Sequence, residues 1–351
     1  MAGSFVRRSM VSTAALLLAI GLSGCMGGGG GADITPTSGS GGVSSGGGGG
    51  STGGGAPGGS AGGNSGGGAP GASTGGNSGG GAPGGSAGTT TETTYEGYAT
   101  RGRATVKLDN QGNPTSFSGV WVSGLSDVTV TTRSSAQGVQ SATVRFNRGT
   151  SQGSFSNCNT DPSGSTACEG DDGDLEIVRD IAGKTYRYMR LGSWDQGPAP
   201  GTTGQAQRTF GVAGEKAKNL PNNIKAKYLG TARMVVYDNG PASKTNPLPM
   251  GADIQLNADF AQKTMIGHMT NFRTAQGSVS GRVDLKNGKI LPNSSSFDAN
   301  LSGAIDNNNV TGGMLGMFYG LNADEVGGAF YLEKQGADTP VAQGVFAAQK
   351  Q

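Results

Sequence analysis

Beyond residue 250, apolar and polar side chains repeatedly alternate with a period of two. That alternation restricts the chain to strands with one dry face. Ile254, Leu256, Ala258 and Phe260 fall on one side, with Asp253, Gln255, Asn257 and Asp259 on the other. Phe297, Ala299, Leu301, Gly303 and Ile305 repeat the pattern against Asp298, Asn300 and Ser302. Successive strand residues point to opposite faces, so only every second one needs to be apolar. An apolar content of 33% with 6% aromatics is then enough for a core. Eight runs fit as strands: 225–237, 251–260, 263–272, 278–285, 297–305, 312–320, 327–334 and 340–348. Eight antiparallel strands can close into a barrel filled by side chains, which also removes exposed edges.

Residues 91–221 read as a separate antiparallel β domain, with the barrel at 222–351. Short alternating runs at 104–108, 117–122, 128–130 and 142–146 are separated by turn chemistry, as in Asp109-Asn110-Gln111-Gly112-Asn113-Pro114. No long window has helical periodicity. Cys158 and Cys168 flank a polar loop of nine residues, and in an exported protein they read as a disulfide. A metal pair is the alternative, but it lacks a second Cys pair or a nearby His. Asp171-Asp172-Gly173-Asp174 reads as a solvated turn, since it lacks EF-hand spacing. Tyr186, Tyr188 and Trp194 are candidate ligand-binding anchors, aromatic residues being enriched among interface hot spots. Packing against the sheet is the competing reading.

The N-terminus is an address. Arg7-Arg8, an apolar run from Met10 to Leu22 and small residues up to Cys25 form a signal peptide at 1–24. Leu22-Ser23-Gly24-Cys25 is similar to a bacterial lipobox, which makes Cys25 the acylated first residue of the mature chain. Met26 follows where Asp would signal inner-membrane retention, so the expected location is the Gram-negative outer membrane. Residues 25–90 carry that Cys and a Gly/Ser-rich linker that cannot bury enough apolar surface to order. A flexible tether of about 60 such residues spans roughly 40–45 Å. Net charge is +2 with no basic block, which argues against nucleic-acid binding.

The stretch from Gly312 to Leu332 carries further information. Gly316-Met317-Phe318-Tyr319-Gly320, the corner Ala323-Asp324-Glu325 and Gly327-Gly328-Ala329-Phe330 follow one another. Asp259-Phe260-Ala261-Gln262-Lys263 and the terminal Val345-Phe346-Ala347-Ala348-Gln349-Lys350-Gln351 accompany them. Together these resemble the C-terminal barrels of transferrin-binding protein B and related surface lipoproteins. The resemblance implies a handle-like domain followed by an eight-stranded barrel, displayed at the cell surface through a lipid anchor. It implies a structural role for Glu325, whose carboxylate can accept backbone N–H bonds. The implied partners are a surface lipoprotein assembly modulator, a TonB-dependent outer-membrane receptor and a captured protein or small ligand, such as an iron carrier, haem or metal. Capture of a host protein such as a complement regulator, for adhesion or immune evasion, is the alternative. His268 is the only histidine. It is therefore the one side chain on which a Ser-His-Asp site would have to draw, and the candidate ligand if haem binds. With no nucleophile constellation and no paired carboxylates, the expectation is a non-catalytic binding protein without a bound cofactor.

Overall fold

A computed structural model describes residues 90–146, 151–171, 173–181, 183–237, 247–337 and 339–351. The signal peptide, Cys25 and the Gly-rich linker lie outside the described residues, as does Asp172 of the acidic turn. Among the described residues the fold is all-β, with no helix.

The first barrel contains β1 (Thr91–Leu108), β2 (Pro114–Ser135), β3 (Gly138–Phe146), β4 (Ser151–Thr160), β5 (Thr166–Gly170) and β6 (Gly173–Val178). A two-stranded ribbon follows, β7 (Asp180–Ile181) with β8 (Lys184–Thr185), and then β9 (Met189–Gln196) and β10 (Thr203–Gly214). The closed order is β1-β10-β9-β6-β5-β4-β3-β2, antiparallel throughout. β1 and β2 are single long strands where the sequence suggests several short ones. For β2, register shifts opposite Thr100/Arg101, Arg103/Thr105 and Lys107/Leu108, each with an extra β2 residue, explain the difference. Each bulge slips the inward set by one position and so breaks the alternation.

The second barrel contains β11 (Lys225–Val236), β12 (Leu248–Asp259), β13 (Thr264–Thr274), the short β14 (Gly277–Val279), β15 (Gly281–Ile290) and β16 (Ser296–Ile305). It ends with β17 (Asn308–Tyr319), β18 (Glu325–Lys334) and β19 (Pro340–Lys350). The order β12-β11-β19-β18-β17-β16-β15-β13 is closed by pairing of β12 with β13, and β14 adds to β13. Seven of the eight expected runs each fall on a single strand, and the run 278–285 is divided at Ser280 between β14 and β15. Ile254, Leu256 and Ala258 point inward and are buried, as alternation predicts. Phe318 is the hub of the interior, with ring centroids of Tyr228, Phe260 and Phe297 5.9, 5.2 and 5.8 Å away. Gly316 makes this possible, because a Cβ there would overlap the Phe297 ring. The corner between β17 and β18 is pinned from inside. Ala323 takes a left-handed φ of 54°, and its carbonyl accepts the Tyr228 hydroxyl at 2.8 Å.

β17, β18 and β19 lose the alternation seen elsewhere, and burial explains why. Glu325 to Phe330 are all buried, as are Val341 to Ala348. One face of these strands packs the barrel interior; the other meets the first barrel. A strand that is dry on both faces reads as a continuous apolar run.

Candidate functional site

The joint between the barrels is an apolar layer with polar ties. Tyr98, Tyr186, Met189 and Val212 of the first barrel pack against Met317, Tyr319, Ala329 and Ala347 of the second. Gly327 lets the barrels approach, since a Cβ there would lie 2.7 Å from the Met189 sulfur and 2.9 Å from Val212. Glu325 is the central tie, 3% exposed. Its Oε1 accepts the Arg187 backbone N–H at 2.6 Å, and its Oε2 accepts those of Tyr188 and Met189 at 2.9 and 3.2 Å. Three charge-assisted bonds satisfy a carboxylate that would otherwise be costly to bury. The structural role expected of Glu325 is therefore real, but the donors come from the other barrel rather than from its own corner. Around it, Glu215 N–H donates to Tyr188 O at 2.8 Å, Gly320 N–H to Glu215 O at 3.0 Å and Ala217 N–H to Phe318 O at 2.9 Å. Gln349 Nε2 donates to Thr185 O at 2.9 Å.

These contacts reassign two of the candidate anchors. Tyr186 is 1% exposed and its hydroxyl donates to Ala347 O at 2.9 Å, so it ties the barrels together and is not available on the surface. Burial, with the nearby Glu325 charge, pushes its phenol above the usual range. Tyr188 is half-buried: its ring covers Gly320, and the Arg187 guanidinium sits 5.2 Å from the ring centroid. Both read as anchors from composition alone because an aromatic run signals burial and binding equally well.

Trp194 lies inside the first barrel, 3% exposed, stacked on Phe146 at 5.5 Å and edge-on to Phe155 at 5.4 Å. The Cys158–Cys168 disulfide belongs to the same cluster and bridges β4 to β5. It thus staples two neighbouring strands into the core as well as closing the loop. Beside this cluster the barrel is hollow. A cavity of about 320 Å³ is floored by Phe146 and Trp194 and walled by Val130, Val144, Leu175 and Ile177. Thr132, Thr160, Thr166, Arg179 and Arg190 also line it, and Arg179 marks an exposed end. Thr209 also lines this space, and its buried hydroxyl has no hydrogen-bond partner among the described residues. The sequence reading missed these residues. A usable signal was present in β2, where inward positions run Val128, Val130, Thr132, Ser134 and so turn from apolar to hydroxyl.

On the outside, Trp121 of β2 is 52% exposed. The Arg103 guanidinium lies 5.8 Å from its ring centroid and donates through Nε to Gln207 at 2.9 Å. His268 is on the outer face of β13, between Gln255 and Asp284 on the adjacent strands. Met265 and Met269 point the other way, into the core. His268 is far along the chain from the cavity residues and does not line that space. Among the described residues no three His, Cys, Asp or Glu side chains cluster as a metal site.

Parts of this chain are similar to known proteins. Residues 220–350 match the family of C-lobe and N-lobe beta barrels of Tf-binding protein B. Over 160 residues, 42% of this chain, the sequence is 30% identical to transferrin-binding protein B of Moraxella catarrhalis, and the match spans 21% of that relative. Among solved structures, a surface lipoprotein aligns at 16% identity over 72% of this chain and 98% of its own, with a TM-score of 0.38. A mutant transferrin-binding protein B from Haemophilus parasuis aligns at 12% identity over 75% and 77%, with a TM-score of 0.36. Residues 220–350 are thus a barrel domain of the transferrin-binding protein B type.

Proposed function

We propose that this chain is a lipid-anchored receptor on the Gram-negative cell surface that captures an iron-carrying protein and catalyses nothing. The reading rests on the family barrel domain carrying a second barrel locked to it through Glu325, so that both present one rigid surface. In this reading Cys25 holds the protein in the outer membrane and residues 25–90 let the two barrels stand off it. A surface lipoprotein assembly modulator delivers it, and a TonB-dependent receptor takes the cargo. Trp121, backed by Arg103, is the docking anchor we assign, since an exposed Trp–Arg pair is the composition of an interface hot spot. The named relative is a transferrin-binding protein, and the match spans 21% of its length. The carrier is therefore to be found by testing iron-loaded transferrin beside other iron and haem proteins.

The test uses the full chain with Cys25→Ser, disulfide formed, immobilised against iron-loaded and iron-free carriers. We expect saturable binding to one loaded carrier and a loss of about 30-fold or more for Trp121→Ala, matching a hot-spot residue worth about 2 kcal/mol or more. Binding unaffected by Trp121→Ala removes the assigned anchor. Protection of the wild-type head from protease on intact cells removes the surface location.

A further inference from the structure

We propose that the cavity of the first barrel is a binding site for a small amphipathic carboxylate, with its apolar body against Trp194 and its carboxylate at the arginine-lined end. This goes beyond carrier capture, which uses the outer surface.

Eight-stranded barrels are just wide enough to be filled by side chains or to hold one small ligand. This barrel keeps about 320 Å³ empty, within the range of ligand pockets. A water takes about 30 Å³ of the liquid, so the space holds on the order of ten to fifteen non-hydrogen atoms. Its chemistry is divided. The floor of Phe146 and Trp194 and the valine and isoleucine walls suit a hydrocarbon body. Arg179, Arg190 and the threonine hydroxyls suit an oxygen-rich head. Among the described residues no Asp or Glu lines the cavity, whereas two arginines do. Arg179 forms no ion pair among the described residues, and Arg190 Nη1 donates only to the backbone carbonyls of Tyr186, Arg187 and Met189. Burial and the nearby charge of Arg179 disfavour the Arg190 cation; the charges of Glu325 and Glu215 offset this only in part, and an anion in the cavity would offset more of it. Thr209 lines the cavity across from Trp194, and its buried hydroxyl has no hydrogen-bond partner among the described residues.

Decanoate is the probe, with decylamine as the cationic counterpart of equal length. The protein is the full chain with Cys25→Ser and Trp121→Phe, which leaves Trp194 as the only indole. Expected is a saturable change in Trp194 emission with decanoate, at least tenfold tighter than with decylamine. Arg179→Gln, at an exposed position, weakens decanoate at least tenfold. Val130→Phe fills the cavity and abolishes the response with an unchanged circular-dichroism spectrum; Val144→Phe serves if that variant does not fold. Equal response to both amphiphiles, no saturable change, or full binding by the filled variant overturns the proposal. Each outcome is independent of whether a carrier protein binds outside.

Discussion

Replacing Glu325 by Gln tests the joint with one changed atom. The carboxylate accepts three backbone N–H groups from residues 187–189. Bonds to a charged acceptor each contribute roughly 1.5–3 kcal/mol, against about 1 kcal/mol for neutral ones. Gln keeps one oxygen, which can still serve Tyr188 and Met189. Its amide then points two donors at the Arg187 N–H, so one bond is lost and two are weakened. Part of the loss is returned, because the buried carboxylate no longer carries its desolvation cost. The net expectation is a destabilisation of about 2–4 kcal/mol. Chemical denaturation followed by tryptophan fluorescence reads this directly, since both tryptophans, Trp121 and Trp194, belong to the first barrel. The fluorescence transition shifts to lower denaturant and runs ahead of the circular-dichroism transition, which reports both barrels. Tyr186→Phe removes the neighbouring tie to Ala347 and combines with Glu325→Gln non-additively, as contacts in one network do. A Glu325→Gln midpoint equal to that of the parent would refute the idea that this carboxylate joins the barrels.

Glu176 offers a pH test. Burial, with the charge of Asp195, lifts its carboxyl from 4.5 to about 7, against partial relief from Arg233. Between those values the folded chain holds a proton that the unfolded chain has released, so stability falls as pH rises from about 4.5 to 7. Glu176→Gln flattens this slope and makes the protein more stable above pH 7, by about 1–2 kcal/mol after discounting for solvent access; thermal melts from pH 5 to 8 check it. Cys158→Ser with Cys168→Ser costs about 2–3 kcal/mol in the same fluorescence assay, as expected for opening a short loop. Gly327→Val pushes Met189 and Val212 away and separates the two transitions as Glu325→Gln does. His268→Ala, on the outer face of β13, leaves the denaturation midpoint within about 0.5 kcal/mol, the usual range for surface changes.

The second barrel is legible because its strands obey one rule. Ile254 to Phe260 and Phe297 to Ile305 each have one wet and one dry face, so period-two alternation marks both strand and inward side. The first barrel is less legible for a local reason. Bulges in β2, opposite Thr100/Arg101, Arg103/Thr105 and Lys107/Leu108, shift its inward set part-way along, and a 22-residue strand then looks like several short ones. β17 to β19 break alternation for the opposite reason, both faces being dry. Their glycines, Gly316 toward the core and Gly327 toward the first barrel, are where neighbouring groups come too close for a side chain.

The candidate site was harder to read because tertiary pairing decides what each aromatic does. Tyr186 and Trp194 are eight residues apart in one run, yet one tie reaches the second barrel at Ala347 and the other ring floors a cavity. Nothing local distinguishes them; the partner strands do. Glu325 shows the same dependence. In sequence it ends a corner with no partner in sight, and its donors lie more than a hundred residues earlier. The consequence is a testable order of dependence. If Glu325 fixes residues 187–189, it also fixes Arg190, which follows them and lines the cavity. Glu325→Gln should then weaken decanoate binding under conditions where the protein is still folded, whereas the distant His268→Ala should not. Equal affinities for Glu325→Gln and the parent would separate the joint from the cavity and leave Glu325 a purely structural tie.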